Sequence, residues 1–259
     1  LTRKDIHYKN EPLKLSVYDI AVKEKHCIAA KSKVMNKTEF HVSLYDREYE
    51  CDISRAELLS LNKYEVTILE FKEYALKNNI VTEAEKNGGG YEWGAGWEKR
   101  ANWNYLTPYG NKPDDELEPA VHISRFEAED YCKYHGGRLP TFEEWKKAAY
   151  TQQFESDLFE VGKTYKYPSG DTAINMNSQG ILNYDRHVSV ISLPEGINGL
   201  VAMGGNVWEW IDDQEKGNSL TAGASWWYGA SKTKKEGAQF KPSNFYAIYV
   251  GFRCAFDNN

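Results

Sequence analysis

The amino-acid sequence predicts an α+β fold that is rich in coil and contains a small sheet and two to three helices. Short stretches in which polar and apolar residues alternate fill residues 1–60 and recur near the C-terminus, which is the pattern of half-buried strands. Helical patterns are confined to a few short segments between residues 67 and 150. From residue 150 onward, turn-forming sequences such as YPSGD and LPEGING dominate, which favours ordered loops.

The N-terminal stretch predicts strands because LKLSVYDIAV, FHVSLYD and YECDIS alternate in polarity and charged segments separate them. We therefore interpret residues 1–60 as a β-rich N-terminal part of the same unit and residues 61–259 as the main domain. The composition supplies enough apolar material for a sizeable core, in one domain or two small ones, because 41% of the 259 residues are hydrophobic.

Three helices are predicted because a Ser or Thr stands three residues before a Glu at the start of an apolar stripe, which is the capping-box pattern. These pairs are Thr67 with Glu70, Ser124 with Glu127, and Thr141 with Glu144. The first helix is expected over about 67–77. The second is expected to end at the glycines 136–137, and the third to begin directly after Pro140.

The glycine-rich segment 87–118 has no sustained period, and we predict a long ordered loop there. Aromatic residues crowd into 91–109 and 205–256 rather than spreading evenly along the chain. Such crowding is typical of irregular structure held by large side chains, and sometimes of a recognition surface.

Charge and hydropathy exclude two classes of partner. Lys and Arg number 32 against 38 Asp and Glu, a formal charge of −6, so the basic footprint of a nucleic-acid-binding protein is missing. No stretch approaches 18 uninterrupted apolar residues, so no membrane span is predicted. The expected partner is an unknown protein or a small-molecule ligand.

The cysteines Cys27, Cys51, Cys132 and Cys254 form no CxxC pair, and no histidine stands at a zinc-ligand spacing from them. We expect buried thiols, and a long-range disulfide such as Cys27–Cys51 stays open for an exported protein. The first residues lack the features of a signal peptide, which a mature chain would also lack, so the terminus does not reveal the compartment.

Four segments in a fixed order carry a family resemblance: YEVT at 64–67, EPAVHIS with YCKYHGGRLPTFEEW at 118–145, GGNVWEWIDD at 204–213, and VGFRC at 250–254. Together they resemble the formylglycine-generating-enzyme family, also called the sulfatase-modifying-factor domain. The resemblance implies a C-type-lectin-like core with two helices, a small twisted sheet and much ordered loop. It also implies an extracytoplasmic location, at the cell surface or in the periplasm, and leaves open a lipid anchor outside this sequence.

These motifs are interpreted as largely structural, and Arg138, Trp208, Trp210 and Arg253 are expected in the buried scaffold. For the two arginines, a structural ion pair or a clamp on loop carbonyls is favoured over a substrate contact. Glu209 has two interpretations, as a partner for a buried arginine or as a calcium ligand like that of family members that bind calcium at this turn. Asn175 is a second weak calcium candidate, in a polar turn without an EF-hand pattern. We otherwise expect no cofactor.

The sequence departs from the family at the active centre. The cysteine-oxidising members bind copper(I) through two cysteines shortly before the final GFR, because this soft metal needs thiolate ligands. Here that stretch reads AGASWWYGASKTKK at 222–235, and no cysteine lies between Cys132 and Cys254. A copper site of that kind is therefore excluded.

Two functions remain, and both are expectations from the resemblance. The favoured one is a non-catalytic display protein, like the variable proteins of diversity-generating retroelements, which bind ligands through a hypervariable C-terminal surface. The alternative is an enzyme, either like the members that act in siderophore chromophore maturation or another member that works without copper; they too lack the cysteine pair.

In the display hypothesis, small, aromatic and hydroxyl side chains of the C-terminal segments form the ligand-binding surface. The predicted residues are Trp227, Tyr228, Ser231, Thr233, Ser243, Asn244, Tyr246, Ala247 and Tyr249. We expect them to alternate between solvent-facing and core-facing positions, with the solvent-facing ones on one face. No catalytic set of residues is recognised in the sequence.

Overall fold

The computed structural model describes residues 9–18, 39–44, 47–52, 56–182 and 184–257. The strands in these ranges are β1 Pro12–Tyr18, β2 Glu39–Leu44, β3 Arg47–Asp52, β4 Ala56–Asn62, β5 Gly89–Trp93, β6 Trp97–Ala101, β7 Trp208–Glu215, β8 Asn218–Ala222, β9 Gln239–Pro242, β10 Val250–Gly251 and β11 Ala255–Asp257. The α-helices are α1 Ile68–Asn78, α2 Glu83–Lys86, α3 Arg125–Tyr134 and α4 Phe142–Tyr150. Short 3-10 turns and irregular segments connect them.

The three predicted helices are confirmed, and each begins after its predicted capping box. Thr67, Ser124 and Thr141 each accept a hydrogen bond from the backbone N–H three residues on, and the Glu at that position bonds back to the cap. The short helix α2 was not predicted, although Thr82 and Glu85 form the same motif. Its four residues are too few to show a helical period in the sequence.

Two small sheets form the centre of the fold. β4 pairs antiparallel with both β1 and β11, with Leu61 opposite Leu13 on one side and Ala255 on the other. The second sheet has the order β10-β7-β8-β9, in which β10 runs parallel to β7 and the other pairs are antiparallel. β2 pairs with β3, and β5 pairs with β6, as separate hairpins.

The segment 87–118 is not entirely the loop that the sequence predicted. Residues 89–101 form the hairpin β5–β6, in which Trp93 lies opposite Trp97 across a glycine-containing turn. β6 alternates between exposed and half-buried residues, and its polar side chains obscure that alternation in the sequence. The hairpin projects two tryptophans from the main body, which matters for the site below.

The core is aromatic around the GGNVWEW motif. Trp208 and Trp210 are fully buried, and Phe71 of α1 packs in the same cluster with ring contacts to Tyr131 and Phe252. A second cluster centres on Trp145 of α4. Both clusters draw on strands and helices together, so the architecture is α+β as predicted.

The cysteine expectation is wrong for two of the four residues. Cys132 of α3 is disulfide-bonded to Cys254, which precedes β11, across a sequence separation of 122 residues. The two are therefore not thiols, and the bond ties α3 to the C-terminal strands. Cys27 lies outside the described residues, and the structure describes only the backbone of Cys51.

Within the described residues, no helix combines the length and the apolar character that crossing a membrane requires.

Candidate binding surface

Aromatic side chains from the β5–β6 hairpin and from two C-terminal segments form a continuous band, which we call the aromatic surface. Its members are Tyr91, Trp93, Trp97, Trp226, Trp227, Phe245, Tyr246 and Tyr249.

The rings of the aromatic surface touch one another in an unbroken series. The Trp97 ring centroid lies 4.7 Å from that of Phe245, 5.2 Å from that of Trp93 and 6.2 Å from that of Tyr249. Tyr249 in turn lies 5.4 Å from Trp226 and 6.0 Å from Trp227. Most of these pairs are edge-to-face or tilted, which is the geometry that aromatic quadrupoles favour.

The surface combines a buried centre with exposed edges. Trp93, Trp97 and Trp227 expose 45%, 46% and 45% of their areas, whereas Tyr249 between them exposes 4%. The Tyr249 hydroxyl accepts a hydrogen bond from the Trp93 backbone N–H at 3.2 Å, and burial raises its pKa above the ordinary value. The exposed indoles therefore stand on a fixed base.

The hairpin is fastened to the body by backbone contacts. The Ile248 N–H donates to the Tyr91 carbonyl at 3.0 Å, and the His122 N–H donates to the Ala247 carbonyl at 3.1 Å. A Cβ at Gly90 would lie 2.6 Å from Cε1 of His122, so only glycine allows this close approach. His122 is fully buried, and burial lowers its pKa to about 3, which keeps the imidazole neutral beneath the hairpin.

The segment that carries Trp226 and Trp227 is held by a different set of bonds. The Trp226 N–H donates to the Asn206 carbonyl at 3.0 Å. The Tyr228 carbonyl accepts from the Ser178 hydroxyl at 2.5 Å and from the Gln179 N–H at 3.0 Å. Residues 178–179 and 226–228 are thereby joined side by side.

Two buried asparagines organise this region. Asn177 and Asn206 expose 1% and 0% of their areas, and the Asn177 side-chain amide donates to Oδ1 of Asn206 at 3.0 Å. The Asn206 amide donates to the buried Glu65 at 2.6 Å. Burial, reinforced by the charge of Glu209, raises the pKa of Glu65 well above its usual range.

A cleft of about 970 Å³ adjoins the aromatic surface. Its walls come from the end of α1, from α2 and α3, and from residues 242–246. Tyr91, Trp97, Phe245 and Tyr246 belong to both the cleft and the aromatic surface, so the two are continuous. An extended ligand could therefore run from the cleft across the indoles.

The structure places the predicted ligand residues in different environments. Trp227, Ser231 and Asn244 are exposed, and Tyr228 is half-buried. Thr233, Ser243, Tyr246, Ala247 and Tyr249 are buried.

The predicted alternation is wrong for residues 246–249, because all four are buried. This segment lies between the hairpin and β7, with the Trp208 N–H donating to the Tyr249 carbonyl at 2.8 Å, so both of its faces are covered. Ser243 is buried because its hydroxyl bonds that of Ser219 at 2.7 Å.

Sequence reasoning missed five members of the surface: Tyr91, Trp93, Trp97, Trp226 and Phe245. The crowding of aromatic residues at 91–109 was the available signal, but it does not say which rings reach solvent. That depends on the hairpin and its contact with residues 245–249, which the sequence did not reveal.

Two residues of the family motifs, Glu209 and Arg253, form a buried ion pair. The fully buried Arg253 guanidinium donates to Glu209 at 2.6 and 2.8 Å and to the carbonyls of Asn62, Lys63 and Val201. The Trp145 indole also donates to Glu209, at 2.7 Å.

Glu209 thus has the first of its two predicted roles, as the partner of a buried arginine. The prediction that Arg138 is buried is wrong: its side chain is partly exposed, because it pairs near the surface with Glu144 and Asp257. Asn175 is exposed in a turn. No cluster of three or more His, Cys, Asp or Glu side chains suited to a metal occurs in the described ranges, and the expectation of no metal cofactor stays a prediction.

Lys241 on β9 is a cation that packs against the buried Trp208. Its ammonium lies 4.1 Å from the Trp208 ring centroid and donates to the Thr221 hydroxyl at 2.8 Å. Burial, with the positive charge of Lys232, lowers its pKa to about 7.

Comparison with known proteins gives a family match over most of the chain. A profile of the sulfatase-modifying factor enzyme 1-like domain matches residues 34–258. The chain is 30% identical over 179 residues to the inactive C-alpha-formylglycine-generating enzyme 2 of Bos taurus, covering 61% of this chain and 56% of that protein. It is 28% identical over 185 residues to the formylglycine-generating enzyme of Mus musculus, covering 59% and 48%. The chain thus spans about half the length of these curated relatives.

Solved structures extend the match at the level of the fold. PvdO from Pseudomonas aeruginosa superimposes with a TM-score of 0.57 at 17% identity, covering 85% of this chain and 91% of that one. Treponema denticola variable protein 1 gives 0.51 at 13% identity, covering 86% and 100%. These likenesses confirm the predicted α+β, C-type-lectin-like fold.

Proposed function

Since the chain belongs to the sulfatase-modifying factor enzyme 1-like domain family, we propose that it uses this scaffold to bind a polypeptide ligand on the aromatic surface. The observation that carries the proposal is the set of three tryptophans, each nearly half exposed, on one continuous band. A protein rarely leaves such side chains in water without a partner for them.

The physical properties of the surface suit recognition. Indole rings offer large contact area and lose little conformational entropy on binding, because they have only two side-chain torsions. Here the exposed rings pack against buried ones, which restricts their motion before a ligand arrives. Preorganisation of this kind improves affinity, since less order has to be imposed on binding.

Several facts favour binding over the family's copper chemistry. The stretch before the final GFR has no cysteine, and both members of the pair Cys132–Cys254 are consumed in a disulfide. One relative is itself named an inactive formylglycine-generating enzyme, so membership of the family does not imply turnover. The fold is similar both to PvdO and to a variable protein, and therefore does not separate an enzyme from a display protein.

We propose more specifically that the domain is a display protein whose binding surface is diversified by a retroelement. Genomic sequence tests it directly. A near-duplicate of the coding segment for residues 220–253, differing at adenines and lying beside a reverse-transcriptase gene, is the expected finding. A location inside a siderophore biosynthetic cluster without such a duplicate would favour the enzyme.

We also propose an extracytoplasmic location. The Cys132–Cys254 disulfide supports it, because such bonds persist mainly in oxidising compartments. Cell fractionation of the natural host, with the thiols blocked at lysis, is expected to find the protein outside the cytoplasm with this bond formed. Recovery from the cytoplasm with free thiols would contradict the proposal.

The binding proposal is tested with a random peptide library displayed on phage. Peptides enriched on the protein are synthesised, and their affinities are measured for the parent and for Trp97→Ser, Trp227→Ser and Leu76→Ser. Leu76 is the matched control, because it is 70% exposed on α1 and outside the aromatic surface.

Each tryptophan variant is expected to bind at least about tenfold more weakly than the parent, as hot-spot aromatics do, while Leu76→Ser binds like the parent. Thermal unfolding of all four proteins checks that the variants fold. Enriched peptides that bind both tryptophan variants with unchanged affinity, or a library that yields no binder, would refute the proposal.

A further inference from the structure

At one end of the aromatic surface lies a small pocket, which we call the Asp185 pocket, and we propose that it receives a Lys or Arg side chain of the ligand. This inference rests on the proposed function, because it names the chemistry of one part of the polypeptide ligand proposed above. The pocket measures about 270 Å³ and is lined by Gln179, Gly180, Leu182, Asp185, Trp226 and Trp227. This volume is below that of a typical site for a drug-sized molecule and suits a single side chain.

The walls of the pocket offer the two groups that a cation prefers. Trp226 and Trp227 stand almost perpendicular, with ring centroids 5.6 Å apart and an interplanar angle of 86°. Indole faces attract ammonium and guanidinium groups through the ring quadrupole. The Asp185 carboxylate adds a charged acceptor, to which a basic side chain forms a charge-assisted hydrogen bond.

The Asp185 carboxylate is exposed and has neither a hydrogen-bond nor an ion-pair partner among the described residues. The adjacent cation, Arg186, is engaged elsewhere: it pairs with Glu118 at 3.3 Å and lies 4.4 Å from the Tyr109 ring centroid. Within the described part of the chain, the pocket therefore has a carboxylate that no cation pairs with.

Residues 186 and 188, which follow Asp185 in the chain, are held by buried side chains of other segments before any ligand binds. The Arg186 carbonyl accepts from the buried Asn177 amide at 2.9 Å, and the Val188 N–H donates to Asn206 at 2.9 Å. The same Asn206 accepts the Trp226 N–H through its carbonyl. One buried asparagine pair thus holds the backbone at residues 186–188 close to the backbone at Trp226.

The test uses N-acetyl-arginine amide as the probe and N-acetyl-citrulline amide as its uncharged isostere. Indole signals in ¹H–¹⁵N spectra of the full chain report binding, after Trp226→Phe and Trp227→Phe identify the two relevant signals. The arginine probe is expected to move the Trp226 and Trp227 signals in a saturable manner, and the citrulline probe to bind at least about tenfold more weakly.

Asp185→Asn is the decisive variant. Asp185 has a backbone φ of 54°, a left-handed conformation that Asn also adopts readily, so the variant should fold. It is expected to bind the arginine probe about tenfold more weakly, as loss of one charge-assisted contact predicts. Asp130→Asn, which removes another exposed carboxylate in the neighbouring cleft, is the matched control and should bind like the parent.

The outcomes separate this inference from the proposed function. Equal binding of both probes, or unchanged arginine binding by Asp185→Asn, would overturn the Asp185 pocket even if library peptides bind through Trp97 and Trp227. Conversely, arginine binding that depends on Asp185, together with a library that yields no binder, would support the pocket and refute the wider peptide surface.

Discussion

Removal of the Cys132–Cys254 disulfide should cost this domain a large part of its stability. In the chain-entropy model, a cross-link that closes a loop of 122 residues restricts the unfolded chain by about 5 kcal/mol. Both cysteines are almost completely buried, at 0% and 1% exposure, so substitution also leaves a small packing defect. A natural domain is stable by only about 5–15 kcal/mol, and the loss is therefore a major fraction.

The assay is equilibrium unfolding in guanidinium chloride, with the free energy of unfolding and its denaturant dependence both fitted. The variants are Cys132→Ala, Cys254→Ala and the double substitution. Either single change breaks the same cross-link, so the double variant should be little less stable than each single one. The slope against denaturant should increase, because the unfolded chain without the cross-link exposes more surface.

Chemical reduction supplies an independent arm of the same experiment. Reductant should lower the stability of the parent to that of the double variant measured in the same reductant. Mass spectrometry after alkylation of thiols shows when Cys132 and Cys254 are reduced. A fully reduced parent that unfolds at the same denaturant concentration as the oxidised one would refute the reasoning, as would additive losses in the two single variants.

Three further perturbations follow from the buried charges and from the sequence. Burial lowers the pKa of Lys241 from 10.5 in the unfolded chain to about 7 in the folded protein. Between these pH values the unfolded chain binds more protons, so the stability of the protein rises with pH. The charge on Lys241 therefore destabilises the folded state in full only below pH 7. Lys241→Met should accordingly stabilise the protein at pH 6, by up to roughly 5 kcal/mol, and much less near pH 10; equal effects at both pH values in denaturant titrations would contradict this. Glu209→Gln leaves the buried Arg253 without its counter-charge and should lower the free energy of unfolding by roughly 3–5 kcal/mol. A variant that unfolds thermally at the same temperature as the parent would contradict this prediction. Metal analysis should find no stoichiometric copper, and a sulfatase-type cysteine peptide should stay unconverted; copper bound one to one, or formylglycine in the product, would show the opposite.

Local signals explain the part of the fold that the sequence predicted well. A capping box involves residues three apart in the chain, so Thr67, Ser124 and Thr141 mark helix starts without reference to the rest of the molecule. The family motifs add the order of the segments and, through the resemblance, the C-type-lectin-like fold. Buried Trp208 and Trp210 follow from the same motif.

The errors arose where distant segments decide the outcome. The sequence predicted that the segment with Tyr246 and Tyr249 alternates between solvent-facing and core-facing side chains. The β5–β6 hairpin and β7 instead cover both faces of that segment. The partner of Cys132 is 122 residues away, and cysteine spacing alone contains no information about that pairing.

The candidate site depends on the same kind of long-range placement. Trp97 and Trp227 are far apart in sequence and share a surface only because Tyr249 packs between them. Residues 186 and 188, which follow Asp185, are likewise held by Asn177 and Asn206, both buried side chains of other segments. Residue types that suit recognition were visible in the sequence, but their grouping was not.

The most direct test of the aromatic surface is a ¹⁹F spectrum of the protein labelled with 5-fluorotryptophan, recorded with and without a library-selected peptide. The chain has 8 tryptophans, so buried and exposed indoles report in one experiment. Our account predicts that the signals of Trp93, Trp97 and Trp227 shift on binding, while those of the buried Trp145 and Trp210 stay in place. A bound peptide that leaves the three exposed tryptophans unshifted would place its site elsewhere on the molecule and contradict the account.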